Sequence, residues 1–144
     1  MDKAKILFQI KHLNKTLDID FSKRLEVYDL TPQQGRIILY ICDNYEKMDI
    51  SQKMCETIWR LSKSTVSGLI KRLEAKSLIT ITRIKKEHIL KPTEEGLKIR
   101  DAFIENRKKV IAKLLEKMSE EEINLISEYF AKMIKNIEKE DYEC

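Results

Sequence analysis

The sequence predicts a mainly α-helical fold carrying one small β-hairpin. Apolar residues recur at three- and four-residue steps along most of the 144 residues, and only one stretch near residue 80 alternates with β-branched residues. The chain holds just 3 Gly and 2 Pro, too few turn formers for a many-stranded sandwich or barrel. With 42% hydrophobic and 36% charged residues there is material for a core under a heavily solvated surface, which excludes a disordered chain.

The first periodic stretch, Ala4 to about Tyr28, sets Ile6, Ile10, Leu13, Leu17, Phe21 and Tyr28 on one stripe of a long helix. Asp29-Leu30 breaks it. Thr31-Pro32-Gln33-Gln34 starts a second helix: Thr31 caps, Pro32 takes the first position, where its missing N–H is harmless, and Gln34 completes a capping box. Ser51 begins a short helix, Ile58 to Leu61 are expected to cross a turn, and Ser62 caps a helix running to about Lys76. On that helix Val66, Leu69, Ile70 and Leu73 face inward, and Lys63, Ser64, Thr65, Ser67, Gly68, Lys71 and Arg72 face out. Leu78 to Thr82 and Ile89-Leu90 then form a two-stranded hairpin about the charged tetrad Lys85-Lys86-Glu87-His88. Thr93-Glu94-Glu95-Gly96 opens a long helix, with Thr93 capping and two carboxylates against the positive end of its dipole. Ser119 with Glu122 opens the last helix, where Ile123, Ile126, Phe130, Met133 and Ile137 make an apolar seam that needs a cover. A second subunit is the natural cover, so the chain is expected to be a homodimer.

Charge is unevenly distributed. From Asp49 to Pro92 there are ten Lys and Arg against four Asp and Glu, whereas Glu116 to Cys144 carries nine acidic and four basic groups. A basic block beside a separate acidic one suggests a polyanion surface kept apart from a different contact surface. The longest apolar run, Ile37 to Cys42, is far short of the roughly 20 residues that span a bilayer. The amino-terminal MDKAKILFQIKHLNK lacks a signal-peptide core, so the expected location is cytoplasmic and no membrane partner is expected. Three scattered cysteines fit reduced thiols rather than a disulfide framework.

A helix-turn-helix followed by a hairpin, with a basic second helix, is the winged helix-turn-helix plan for reading double-stranded DNA. A recognition helix enters the major groove when its exposed side chains are short or flexible near the amino end. Ser64, Thr65 and Ser67 supply short donors and acceptors, while Lys63, Lys71 and Arg72 supply phosphate or guanine contacts. Gly68 costs about 1 kcal/mol inside a helix. Either a partner's backbone comes close there or the glycine packs on the preceding helix.

The run Leu61 to Glu74 (LSKSTVSGLIKRLE) resembles the recognition segment of the multiple-antibiotic-resistance-regulator (MarR) family. Leu30 to Gln34 resembles the start of that family's second helix, and Pro92-Thr93-Glu94-Glu95-Gly96 its post-wing motif. The resemblance implies one MarR-like domain over 1–144, with residues 1–28 and 97–144 forming a dimerisation stem and 31–96 the winged helix-turn-helix. It implies a homodimeric transcriptional regulator, a repressor of a palindromic operator, relieved by a small anionic aromatic effector in a cleft lined by His12, Arg36 and Tyr40. Ser77 stands where the family has a glycine after the recognition helix, so that helix end is expected to differ in shape. The wing lacks the family's Asp-x-Arg and is about five residues short, so Arg83, Lys85 and Lys86 are expected to touch phosphates only.

No phosphate loop, catalytic carboxylate pair or nucleophile elbow is present, so no enzyme and no cofactor is expected. Cys42 and Cys55 read as buried structural thiols, and Cys144 ends the chain. His12 and His88 lack ligand spacing, so no metal is expected, and His88 is placed in the wing turn. Trp59, Tyr28, Tyr40, Tyr129 and Tyr142 read as packing residues. Two other readings stand beside DNA binding: a winged-helix dimer acting through protein contacts without an operator, and a thiol enzyme or sensor using Cys42 or Cys55.

Overall fold

The computed structural model describes residues 1–143, with side chains to residue 139; Cys144 and the side chain of Tyr142 lie outside that range. The elements are α1 (Ala4–Glu26), α2 (Pro32–Asn44), β1 (Ile50–Ser51), α3 (Gln52–Trp59), α4 (Lys63–Ala75), β2 (Ile79–Ile84), β3 (Glu87–Pro92), α5 (Glu94–Leu114) and α6 (Glu120–Glu143). They group into two compact units, Met1–Ala102 and the chain from Phe103 onward.

In the first unit each expected cap forms. Thr31 Oγ1 accepts the Gln34 amide at 3.3 Å while Gln34 Oε1 accepts the Thr31 amide at 3.0 Å, closing the capping box. Ser51, Ser62 and Thr93 accept the amides of Met54, Thr65 and Gly96 at 3.1, 3.1 and 3.2 Å. Each such cap stabilises its helix by about 1 kcal/mol.

The helix ends hold a surprise for a chain so poor in glycine. Asp29, Arg60 and Ser77 take left-handed φ values of 54°, 51° and 62°. Each is followed by a leucine whose amide reaches back to close the turn: Leu30 to Leu25, Leu61 to Glu56 and Leu78 to Leu73, at 3.0–3.2 Å. Leu30 and Leu78 are buried, which offsets the local strain. Two sequence expectations change here. The α4 end keeps the shape a glycine would give, because Ser77 adopts the left-handed turn despite its Cβ. The short helix also runs on through Trp59, leaving only Arg60-Leu61-Ser62 as the turn.

The hairpin is part of a three-stranded antiparallel sheet ordered β1-β3-β2. The added strand, Ile50–Ser51, pairs Ile50 with Leu90 and Ser51 with Ile89. Its two residues are too few to show a period, so the sequence gives no strand signal there. Pairing of Ile84 with Glu87 shrinks the wing turn to Lys85-Lys86, with Lys85 at φ 58°. Glu87 and His88 therefore belong to strand β3 and not to the turn.

The core of the first unit gathers the inward faces of its elements: Leu25 and Leu30 at the end of α1, Ile37, Ile38 and Ile41 of α2, Cys55 of α3, Val66, Leu69, Ile70 and Leu73 of α4, and Ile50, Ile79 and Leu90 of the sheet are all buried. Two glycines allow close approaches. A Cβ on Gly35 would lie 2.5 Å from Leu25 Cδ2, and one on Gly96 would collide with the backbone carbonyl oxygen of Leu78.

In the second unit Glu122 Oε1 accepts the Ser119 amide and Ser119 Oγ the Glu122 amide, at 3.0 and 3.1 Å, so the predicted box forms. Along α6, Leu125, Tyr129, Phe130, Ile134 and Ile137 are exposed, and Ile126 and Met133 are half-buried. Tyr129 is thus not a packing residue within the chain. On α1, Ile6, Leu7, Phe8, Ile10 and Leu13 are likewise exposed.

Gly96→Ala should lower unfolding stability by about 3 kcal/mol in urea titration, because a backbone carbonyl cannot step aside. Ser77→Gly should raise it by about 0.5–1 kcal/mol, since relief of left-handed strain exceeds the entropy cost of glycine.

Candidate nucleic-acid interface

Helix α4 presents Lys63, Ser64, Thr65, Lys71 and Arg72 to solvent, with Ser67 and Gly68 half-buried beside them. A Cβ built on Gly68 meets nothing within 4 Å, so this glycine does not pack on the preceding helix. The open space above it leaves the backbone free for approach by a partner.

The hydroxyls at the start of α4 form one network. Ser62 Oγ donates to Thr65 Oγ1 at 2.8 Å and accepts the Thr65 amide, which uses its single proton. The 3.2 Å contact between Ser62 and Ser64 therefore has Ser64 donating. Ser64 is left with acceptor capacity and Thr65 with a free O–H donor, side by side at the amino end of the helix. That pair can read both partners of a base edge.

In the wing, strand alternation sorts the side chains. Arg83 lies opposite His88, on the sheet face that Ile81 and Leu90 share, while Ile84 and Ile89 lie on the other. Arg83, Lys85 and Lys86 are exposed. Arg83 and Lys86 join Lys63 and Lys53 around a cleft of about 510 Å³ between α3, the start of α4 and the wing, where Glu56 and Glu87 are the only acidic side chains lining it. The cleft brings recognition helix and wing into one cationic surface. Lys53 was not among the residues the sequence singled out, although it lies in the basic block. Its signal is three-dimensional, because only the fold brings α3 against the wing.

Gln52 was also missed. This amide at the first turn of α3 is buried, donates to the Lys63 carbonyl at 3.4 Å and meets His88 Nδ1 at 3.1 Å. His88 thus sits in strand β3 with a partner, outside the turn in which the sequence placed it.

Of the three expected effector residues, Arg36 and Tyr40 lie one turn apart on α2. The Arg36 guanidinium stands 6.0 Å from the centroid of Phe21, and Tyr40 meets Trp59 edge-on at 5.4 Å and 89°. His12 is on α1, roughly 13 Å along the helix from Phe21 at 1.5 Å per residue, in a shallow depression with Asp2, Lys5 and Phe8. Within one chain, His12 has surroundings of its own. Trp59 and Tyr40 are packing partners, as expected. No described helix is long and apolar enough to cross a membrane.

Comparison with known proteins gives a consistent picture. The family model described as "MarR family" matches residues 28–86. An uncharacterized HTH-type transcriptional regulator of Bacillus subtilis, YdgJ, is 23% identical over 146 residues, covering 94% of this chain and 81% of that protein. A MarR protein from Peptoclostridium difficile shares the fold at TM-score 0.78 and 21% identity, over 97% of this chain and 91% of that one. A putative MarR family transcriptional regulator from Listeria monocytogenes, solved complexed with a 26mer DNA, aligns at TM-score 0.74 and 27% identity over 93% of this chain and 89% of its own.

Cys42 and Cys55 are both buried and free. Burial pushes the Cys42 thiol up to about 12 despite the opposing charge of Arg100, and the Cys55 thiol up to about 11. Cys42 Sγ also donates to the Gly96 carbonyl at 3.5 Å. Neither provides a thiolate nucleophile near neutral pH. A thiol reagent at pH 8 should label Cys42 and Cys55 only as fast as the protein opens, and at once in denaturant. Because both folded values exceed the unfolded value of 9.0, their contribution to stability is complete below pH 9 and should fade as pH rises toward 11–12. Alkaline titration of the unfolding midpoint checks the sign.

Proposed function

We propose that this chain, which belongs to the MarR family of transcriptional regulators through its winged segment, acts as a homodimer that binds a two-fold operator in duplex DNA and represses by occupying it. The observation that carries the reading is the α4 surface. Val66, Leu69, Ile70 and Leu73 are buried on one side, while the Ser64–Thr65 pair, Lys71 and Arg72 stand free on the other, with open space at Gly68. In a major-groove docking the amino end of α4 faces base edges, and Arg83, Lys85 and Lys86 of the wing reach phosphates. The Listeria relative captured with DNA supports a DNA partner.

The exposed apolar stripes on α1 and α6 support the dimer, since contiguous exposed apolar faces commonly mark protein–protein contact sites. Two-fold symmetry then makes the operator palindromic, with half-sites about 34 Å apart, one turn of the double helix. Relief by a small aromatic anion is the finer part of the proposal. Arg36 would supply the charge, and Phe21 and the Tyr40–Trp59 pair an aromatic wall.

Thr65→Ala or Ser67→Ala should cost about 1–3 kcal/mol on the preferred operator and much less on unrelated duplex, measured by fluorescence anisotropy. Lys85→Ala or Lys86→Ala should weaken both duplexes alike and lower the salt slope by about one, because each removes one phosphate contact. If none of the four changes DNA affinity, the protein-contact reading takes its place. Phe130→Glu should give monomers in sedimentation and abolish tight operator binding; dimers of that variant with full affinity would remove α6 from the interface. Millimolar salicylate should raise the melting temperature and weaken operator binding, and no change in either would remove this effector class.

A further inference from the structure

We propose that Gln52 is a positioning residue that locks the wing to the recognition helix, so that base contacts and wing contacts are made in one register. The inference rests on the DNA-reading interface proposed above. Gln52 is only 6% exposed, although its side chain is a polar amide. Burying such a group is unfavourable unless both its ends find partners. They do: Nε2 donates to the Lys63 carbonyl at 3.4 Å, and Oε1 faces His88 Nδ1 at 3.1 Å. The carbonyl of Lys63 can only accept, so the amide must turn its NH2 that way and its oxygen toward His88. His88 must then carry its proton on Nδ1.

The placement gives the bridge its consequence. Lys63 is the first residue of α4, adjoining the Ser64–Thr65 pair, and His88 lies directly across the sheet from Arg83, one step from the turn. The base of the wing is fixed elsewhere, to the far end of α4, by the Leu78 amide on Leu73 and by Thr93 on Leu78 and Ser77. Gln52 therefore ties the tip half of the wing to the reading end of the helix. Attraction between lysines and phosphates tolerates a shifted wing; simultaneous contact of α4 with bases and of the wing with phosphates does not.

The test uses the full-length protein with an operator selected from a random duplex pool by the wild type, alongside an unrelated duplex. Gln52→Glu can still accept from His88 but cannot donate to Lys63, so it cuts only the helix arm. His88→Ala cuts only the wing arm, and Gln52→Leu cuts both while filling the space. His88→Ala and Gln52→Leu, each checked as folded by its melting curve, should lose about ten-fold in operator affinity and stay within about two-fold on unrelated DNA. Gln52→Glu, which also adds a negative charge to the cleft, should weaken both duplexes but the operator about ten-fold more. Gln52→Leu combined with His88→Ala should be no worse than Gln52→Leu alone, because the two remove one bridge. Nitrogen NMR should show His88 protonated at Nδ1 in the wild type and shifted toward Nε2 in Gln52→Leu. Equal losses on both duplexes, unchanged operator preference, additive effects or an Nε2-protonated wild type would each overturn the bridge. A wild type without operator preference would instead overturn the DNA-reading function on which it rests.

Discussion

The carbonyl of Leu78 accepts the Thr93 amide at 3.0 Å, and the first turn of α5 lies so near it that Gly96 has no room for a Cβ. Around this contact three events coincide. The Leu78 amide closes the end of α4 on Leu73, Thr93 Oγ1 donates to the Ser77 carbonyl at 2.6 Å while capping α5, and the Gly96 carbonyl accepts the thiol of buried Cys42. One junction thus ends the recognition helix, closes the base of the wing and starts the next helix. Moving any part of it moves the wing relative to α4. The Thr-x-x-Gly spacing follows directly: the threonine is the cap, and the third residue after it faces a carbonyl at a distance only glycine permits.

The same economy governs the other helix ends. A chain with 3 glycines has none at positive φ and instead turns at Asp29, Arg60 and Ser77. A left-handed non-glycine residue costs about 1–2 kcal/mol. Burial of Leu30 and Leu78 just beyond two of these turns returns energy of the same order, roughly 1.5–3 kcal/mol for a fully buried leucine. A further clamp holds the first turn: Lys76 Nζ donates to both the carbonyl and the carboxylate of Asp29, at 2.8 and 3.0 Å, joining the end of α1 to the end of α4. The strain is local and the compensation tertiary, which is why such ends persist without glycine.

The wing is short and basic, with Arg83, Lys85 and Lys86 exposed. Its turn is two lysines, and sheet pairing, the junction at Leu78, the Gln52 amide and burial of Ile79, Ile89 and Leu90 in the core hold it to the rest of the unit. Arg83 and Lys86 share a cleft with Lys53 and Lys63, so four cations of the basic block, from α3, α4 and the wing, meet around one concavity that Glu56 and Glu87 also line. The hydroxyls at the start of α4 are neutral, and Ser62 divides their remaining hydrogen-bond capacities into a donor on Thr65 and an acceptor on Ser64.

The helices, their caps and the inward face of α4 are legible in the amino-acid order alone, because these depend on residues three or four apart, and such spacing is written directly in the chain. The basic block and the outward positions of α4 are legible there too, since exposure on a helix follows from the same period. Strand β1, the two-residue turn, the left-handed Ser77, Lys53 at the cleft and the Gln52 bridge were decided only by the tertiary structure. Ile50–Ser51 becomes a strand only because β3 offers an open edge. Gln52 is an ordinary first-turn residue of a helix until Lys63, 11 positions on, and His88, 36 positions on, converge upon its two ends. Nothing periodic connects positions so far apart; only packing brings their donors and acceptors within reach.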